Sequence, residues 1–263
     1  MSAIALLLLP YLALSVTGRG LYTEPALVKR ELPQEHSHEA TIRSVRDSLN
    51  LNNPDAFQDP VFALLGDATA VEGDSPTNPV GGECMQLAIA DQALTNALDS
   101  NNVTAATEAM IYRALERNSA TVGATSKACT SFTPTNAALS NFDQHQDPAS
   151  EGAAAVNKPS TLGLAKEIAH IGGDPQQALQ AGTFAPGDLD DHTGAGNTCD
   201  DENDAAGCII SQNLLVEDVT AEEIEAAVAG VVSGGVAGAS ATDSAAGAVS
   251  SAVTSGVATK RIR

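Results

Sequence analysis

The stretch 82–115, GECMQLAIADQALTNALDSNNVTAATEAMIYRAL, limits the fold more than any other part of the chain. Leu87, Ala90, Leu94 and Leu98 recur along one stripe, which predicts a helix over 83–98. The polar run DSNN closes it, and Asn102 stands where a cap would open the next helix, carrying Met110, Ile111, Ala114 and Leu115. Two such helices form an antiparallel hairpin, and a bridge from Cys84 to Cys129 would clamp it. The chain has no Trp and only 3% aromatic residues, so its core must be packed with Ala, Leu, Ile and Val. Alanine is the best helix former and permits close helix approach. The expected class is therefore mainly α, a compact multi-helix domain.

The remaining body repeats these signals. Ile42, Val45 and Leu49 share a helical face within 40–51, and DPVFALLG supplies another apolar turn that Gly66 would end. The segment 72–82, rich in Gly, Pro and Asp, reads as a loop. Weaker helical signals lie at 136–144 and 151–157. After Pro159, Ser160 or Thr161 is expected to cap a separate helix through Leu164 and Ile168, stopped by Gly172-Gly173. Asp174 followed by Pro175 opens a further turn ending at Gly182, and Thr220 with Glu223 forms a capping box before EIEAAV.

The ends differ from the body. SAIALLLLPYLALSVTG is too short for a comfortable membrane span of ~20 residues and has the apolar run and small-residue end of a secretory leader, expected at 1–18. A propeptide over 19–30 would end at the dibasic pair Lys29-Arg30, which resembles a cleavage site for an endoprotease of the fungal secretory pathway. The helical domain is then expected over 31–228. From 229 to 263 the chain is Ala, Gly, Ser, Thr and Val with one Asp until the terminal KRIR, a composition that reads as a disordered tail. The four cysteines, Cys84, Cys129, Cys199 and Cys208, suit an oxidising compartment. They allow three pairings, and local order favours Cys84–Cys129 with Cys199–Cys208.

The formal net charge of −20 works against binding phosphate backbones or anionic lipid, so no nucleic-acid partner and no transmembrane segment are expected. Much of the charge gathers in GDLDDHTGAGNTCDDENDAAGC, residues 187–208, which holds seven carboxylates and no Lys or Arg. Asp188, Asp190, Asp191, Asp200, Asp201, Glu202 and Asp204, with the amides of Asn197 and Asn203, offer enough oxygens for calcium. The EF-hand pattern is absent, since His192 stands where an oxygen ligand belongs. A solvated loop held by its own disulfide is the alternative. His36, His38 and Glu39, in HSHE, form a second candidate metal set, and His145 with Asp147 a candidate acid–base pair. Asn102-Val103-Thr104 is a glycosylation sequon that competes with the cap proposed there, and Asn197-Thr198-Cys199 is a weaker variant. No nucleophile elbow, P-loop, zincin motif or dinucleotide fingerprint occurs.

The segments HEATIRSVRDSLNLNNPDAFQDPVFALLG, YRALERNSATVG, QHQDPAS and GTFAPGDLDDHTGAGNTCDDENDAAGC together resemble small alanine-rich secreted proteins of filamentous fungi. That resemblance covers roughly 31–228. It implies a leader, a Lys-Arg processing site and a helical body, and supplies no catalytic residue. The expectation is a non-enzymatic, secreted or cell-wall-associated protein meeting wall or host extracellular components. A calcium-dependent module built on the acidic loop and a hydrolase with unrecognised catalytic acids are the alternatives.

Overall fold

The computed structural model describes residues 36–65, 82–119, 121–191 and 196–231. The leader, the propeptide with Lys29 and Arg30, Gly66, most of the loop at 72–82, His192, Gly194 and the tail from 232 onward lie outside the described residues. Among the described residues seven α-helices run in order: α1 (Glu39–Leu49), α2 (Val61–Leu64), α3 (Gly82–Asp99), α4 (Val103–Ala114), α5 (Ala153–His170), α6 (Cys208–Ser211) and α7 (Ala221–Val228). Two 3-10 turns, Ala137–Ser140 and Pro175–Ala181, join them. The described residues contain no strand, only one antiparallel bridge between Thr183 and Val216. No described helix is long and apolar enough to cross a membrane.

Helices α1, α3 and α4 pack together as one group, and α5, the 175–181 turn and α7 as another. Helix α4 belongs to both, touching α5 as well as α1 and α3. Its residues Ala106, Ala109, Met110, Ile111, Tyr112 and Ala114 are fully buried, so small side chains let neighbours approach from several sides. Helix α3 is likewise buried around most of its circumference, polar side chains included. Gln86 donates from Nε2 to the carbonyls of Tyr112 and Leu115 at 2.7 and 2.8 Å, which satisfies the end of α4. Asn96 does the same for Ser48 and Asn52 at the end of α1. Asp91 accepts from the backbone N–H of Thr135 and Asn136 and from the Asn136 amide. Helix ends leave carbonyls and N–H groups without intrahelical partners. Here α3 answers for three neighbouring segments.

The expected caps are present on α4, where Asn102 accepts from the Ala105 N–H, and on α7, where Thr220 and Glu223 form the box. Gly172 takes φ +83° behind α5, as a helix-stopping glycine does. Asp174 caps its turn as expected, though the turn is 3-10. The separate helices expected around 151–157 and after Pro159 are in fact one helix, α5, with Pro159 inside it. Ala155 and Pro159 are both exposed, so the carbonyl that loses its helical donor lies on the solvent side. Ser160 and Thr161 are consequently not caps. Ser160 donates to the Asp143 carbonyl, and Thr161 to the Asn157 carbonyl at 3.1 Å. The signal at 136–144 yields only the short 3-10 turn.

Both disulfides follow the local pairing, Cys84–Cys129 and Cys199–Cys208, and no cysteine is free. Such bonds form and persist in oxidising surroundings. Arg117 reinforces the first: its guanidinium donates to the carbonyls of Glu83 and Lys127, beside the two bridged residues.

Candidate functional site

Five segments distant in sequence meet around two buried histidines. His38 precedes α1 and is 5% exposed, while His145 lies between the 137–140 turn and α5 and is fully buried. The main chain of His145 is held by its N–H to the Ala114 carbonyl at 2.8 Å. Asn157, from α5, pins the adjacent Gln146 backbone on both sides, accepting from its N–H and donating to its carbonyl. The imidazole Nε2 of His145 lies 2.9 Å from the Thr161 hydroxyl and 3.6 Å from Asp218 Oδ2. The Thr161 hydroxyl also donates to the Asn157 carbonyl at 3.1 Å, and the carbonyls of Asn157, Ala114 and Ala181 face the His145 ring. Its Nδ1 is buried, with no hydrogen-bond partner among the described residues.

The His38 ring contacts the Ser37 hydroxyl at 3.0 Å through Nδ1 and is faced by the carbonyls of Gly182 and Gln180. Burial pushes the His38 imidazole down to about 4, and the neighbouring His145 adds to that, against the two carbonyls. Burial also lowers His145, although Asp218 partly offsets it, and burial raises the Asp218 carboxyl. All three groups are thus held toward their neutral forms. A cluster this enclosed binds segments of its own chain together, and an outside molecule reaches it only if the fold opens.

The end of the acidic loop packs on the backbone around His38. Gly207 has φ +89°, and a Cβ there would stand 2.4 Å from the Ser37 carbonyl oxygen and 2.8 Å from the Glu39 nitrogen. Only glycine fits such an approach. The Ile209 N–H then donates to the Ser37 carbonyl at 3.2 Å, and Arg43 donates to the Glu202 carbonyl at 2.7 Å.

Within the loop, three aspartates are occupied by their own backbone. Asp188 accepts from the Asp190 N–H, Asp201 from the Asn203 N–H and Asp204 from the Ala206 N–H, each two residues on. Asp204 also accepts from the Ser211 hydroxyl, and Asp191 accepts from the Gly196 N–H. Asp188, Asp190, Asp200, Asp201 and Glu202 are exposed. Among the described residues no three of His, Cys, Asp and Glu converge in a manner suited to a metal ion.

The other candidates are dispersed. His36 pairs with Glu39 at 2.7 Å, whereas His38 turns inward, so HSHE sends its two rings to different partners. Burial pushes the Glu39 carboxyl up, but hydrogen bonds from Arg43 and His36 and the Arg46 charge outweigh it and hold the group below its ordinary value. Asp147 is not the partner of His145. It accepts from the Gly123 and Ala149 N–H groups, while the acid facing His145 is Asp218, from just before α7. No local spacing connects those two residues. Family models, curated proteins and solved structures were compared with the chain, and none matches.

Proposed function

We propose that the chain is a secreted, non-enzymatic protein of fungal type that works outside the cell or in the wall, in a structural, protective or host-contact role. The observation that carries this reading is the pair of disulfides, each fastening a loop segment to a helix of the core. By loop-closure entropy, a bridge spanning 45 residues contributes roughly 4 kcal/mol and one spanning 9 roughly 2–3 kcal/mol. Stability of that origin is kept in an oxidising space and lost in the cytosol. The acidic surface and the titratable groups held inside are in keeping with a durable extracellular body. Its partners would be wall polymers or host extracellular components.

The test is expression of the full chain under its own N-terminus in a filamentous fungal host, followed by separation of medium, washed walls and cytosol. The reading expects protein in the medium or wall fraction, beginning at Glu31 after Lys29-Arg30 cleavage, with no thiol open to alkylation. A cytosolic chain with four reactive thiols would overturn it. Turnover of a wall polysaccharide, abolished by replacing two facing acids, would replace it with the hydrolase reading.

A further inference from the structure

Two asparagines stand in glycosylation sequons, and the fold uses their amides in opposite ways. Asn102 is exposed, and its Oδ1 accepts from the Ala105 N–H at 3.1 Å. A backbone N–H only donates, so the accepting atom is the oxygen, and Nδ2 has no partner among the described residues. At Asn197 it is Nδ2 that is engaged, donating to the Ala185 and Pro186 carbonyls at 3.0 Å each. Carbonyls only accept, so both amide hydrogens are spent there, and the third sequon residue, Cys199, is bonded to Cys208.

The geometry points to Asn102 as an N-linked glycosylation site and to Asn197 as a sequon left bare. This inference rests on the secreted reading. The reaction transfers an oligosaccharide from a polyprenyl pyrophosphate donor. The Nδ2–C1 bond forms as the C1–O bond to pyrophosphate breaks, the amide gives up one proton, and the lipid pyrophosphate leaves. Asn102 Oδ1 takes no part, so a sugar and the α4 cap occupy one side chain together, and the expected competition between them does not arise. A sugar on Asn197 would instead remove at least one of its two hydrogen bonds.

Space for the modification is already present. Asn102 and Thr104 line an open hollow of about 530 Å³ together with Ala40, Leu51, Ala105 and Ala205. Leu51 is 64% exposed in it. A glycan root at Asn102 leaves along this hollow without displacing a packed side chain.

The experiment expresses the full chain in a secreting eukaryotic host, once under its own N-terminus and once behind the host's leader. Protein from medium and cells is mapped by peptide mass before and after peptide-N-glycosidase. One enzyme-removable glycan is expected, at Asn102, with Asn197 unmodified. Thr104→Ala and Asn102→Asp should each abolish the mass step, and Asn102→Asp, which keeps a capping oxygen, should melt with the deglycosylated parent. A bare Asn102 in chain carried by the host's leader, or a glycan at Asn197, overturns the assignment. Glycosylation behind the host's leader alone would instead count against secretion by the native N-terminus and leave this site standing.

Discussion

His38 shows what a single buried group does to the pH dependence of the whole chain. Its imidazole is lowered to about 4 against an ordinary 6.5, so the unfolded chain binds the proton first as the medium is acidified. The stabilisation is complete above 6.5 and is lost as pH falls toward 4, by up to about 1.4 kcal/mol per pH unit and on the order of 3 kcal/mol in all. His145, also lowered by burial, acts in the same sense. Glu39, held low, also loses its contribution on acidification. Asp218 and Glu108 are raised by burial and act oppositely, losing theirs as pH rises through their folded values. Substituting His38→Gln should therefore flatten the fall in stability between pH 6.5 and 4 by nearly one proton's slope, measured by denaturant titration at several pH values. An unchanged slope would mean that His38 is charged in the folded protein. The inward turn of this ring was not legible in HSHE, because its partners are carbonyls of residues 180 and 182, far along the chain.

At the scale of elements, α3 is the best-read and the least ordinary. Its apolar stripe announced a helix, yet Gln86, Asp91 and Asn96, polar enough to suggest a wet face, are buried. They satisfy the ends of α4, of the 135–136 segment and of α1, partners that periodicity does not identify. Replacing Asp91→Ala strands the N–H groups of Thr135 and Asn136, and should cost about 2–4 kcal/mol. The check is a lower denaturant midpoint at unchanged slope. Helix α5 was misread for the converse reason. Pro159 is a strong local stop signal, and only burial of Ala153, Asn157, Ser160 and Leu164 along one face explains why the helix continues through it. In the acidic loop, three of the seven carboxylates counted as ligands in sequence, those of Asp188, Asp201 and Asp204, accept from N–H groups two residues on. Thermal melts of the non-reduced protein in EDTA and in millimolar calcium should accordingly coincide. A calcium-specific rise of several degrees, the size expected of a ligand at ~100 times its dissociation constant, would favour the cation-binding reading.

For the whole molecule, what was legible is what is local. Stripes, caps and glycine stops placed α1, α3, α4 and α7, and the order of the cysteines indicated their pairing. What was not legible is convergence: the union of two helix groups through α4, and the meeting of His38, His145 and Asp218. Those depend on contacts between residues with no common spacing. One contact among them carries further than its size. The loop closed by Cys199–Cys208 ends at Gly207, seated on the backbone of Ser37, His38 and Glu39 at the start of α1. Reduction of Cys199–Cys208 would lift the closure constraint from the segment that is seated there. That fastening at the start of α1 is kept where oxidants prevail and is surrendered where reductants do.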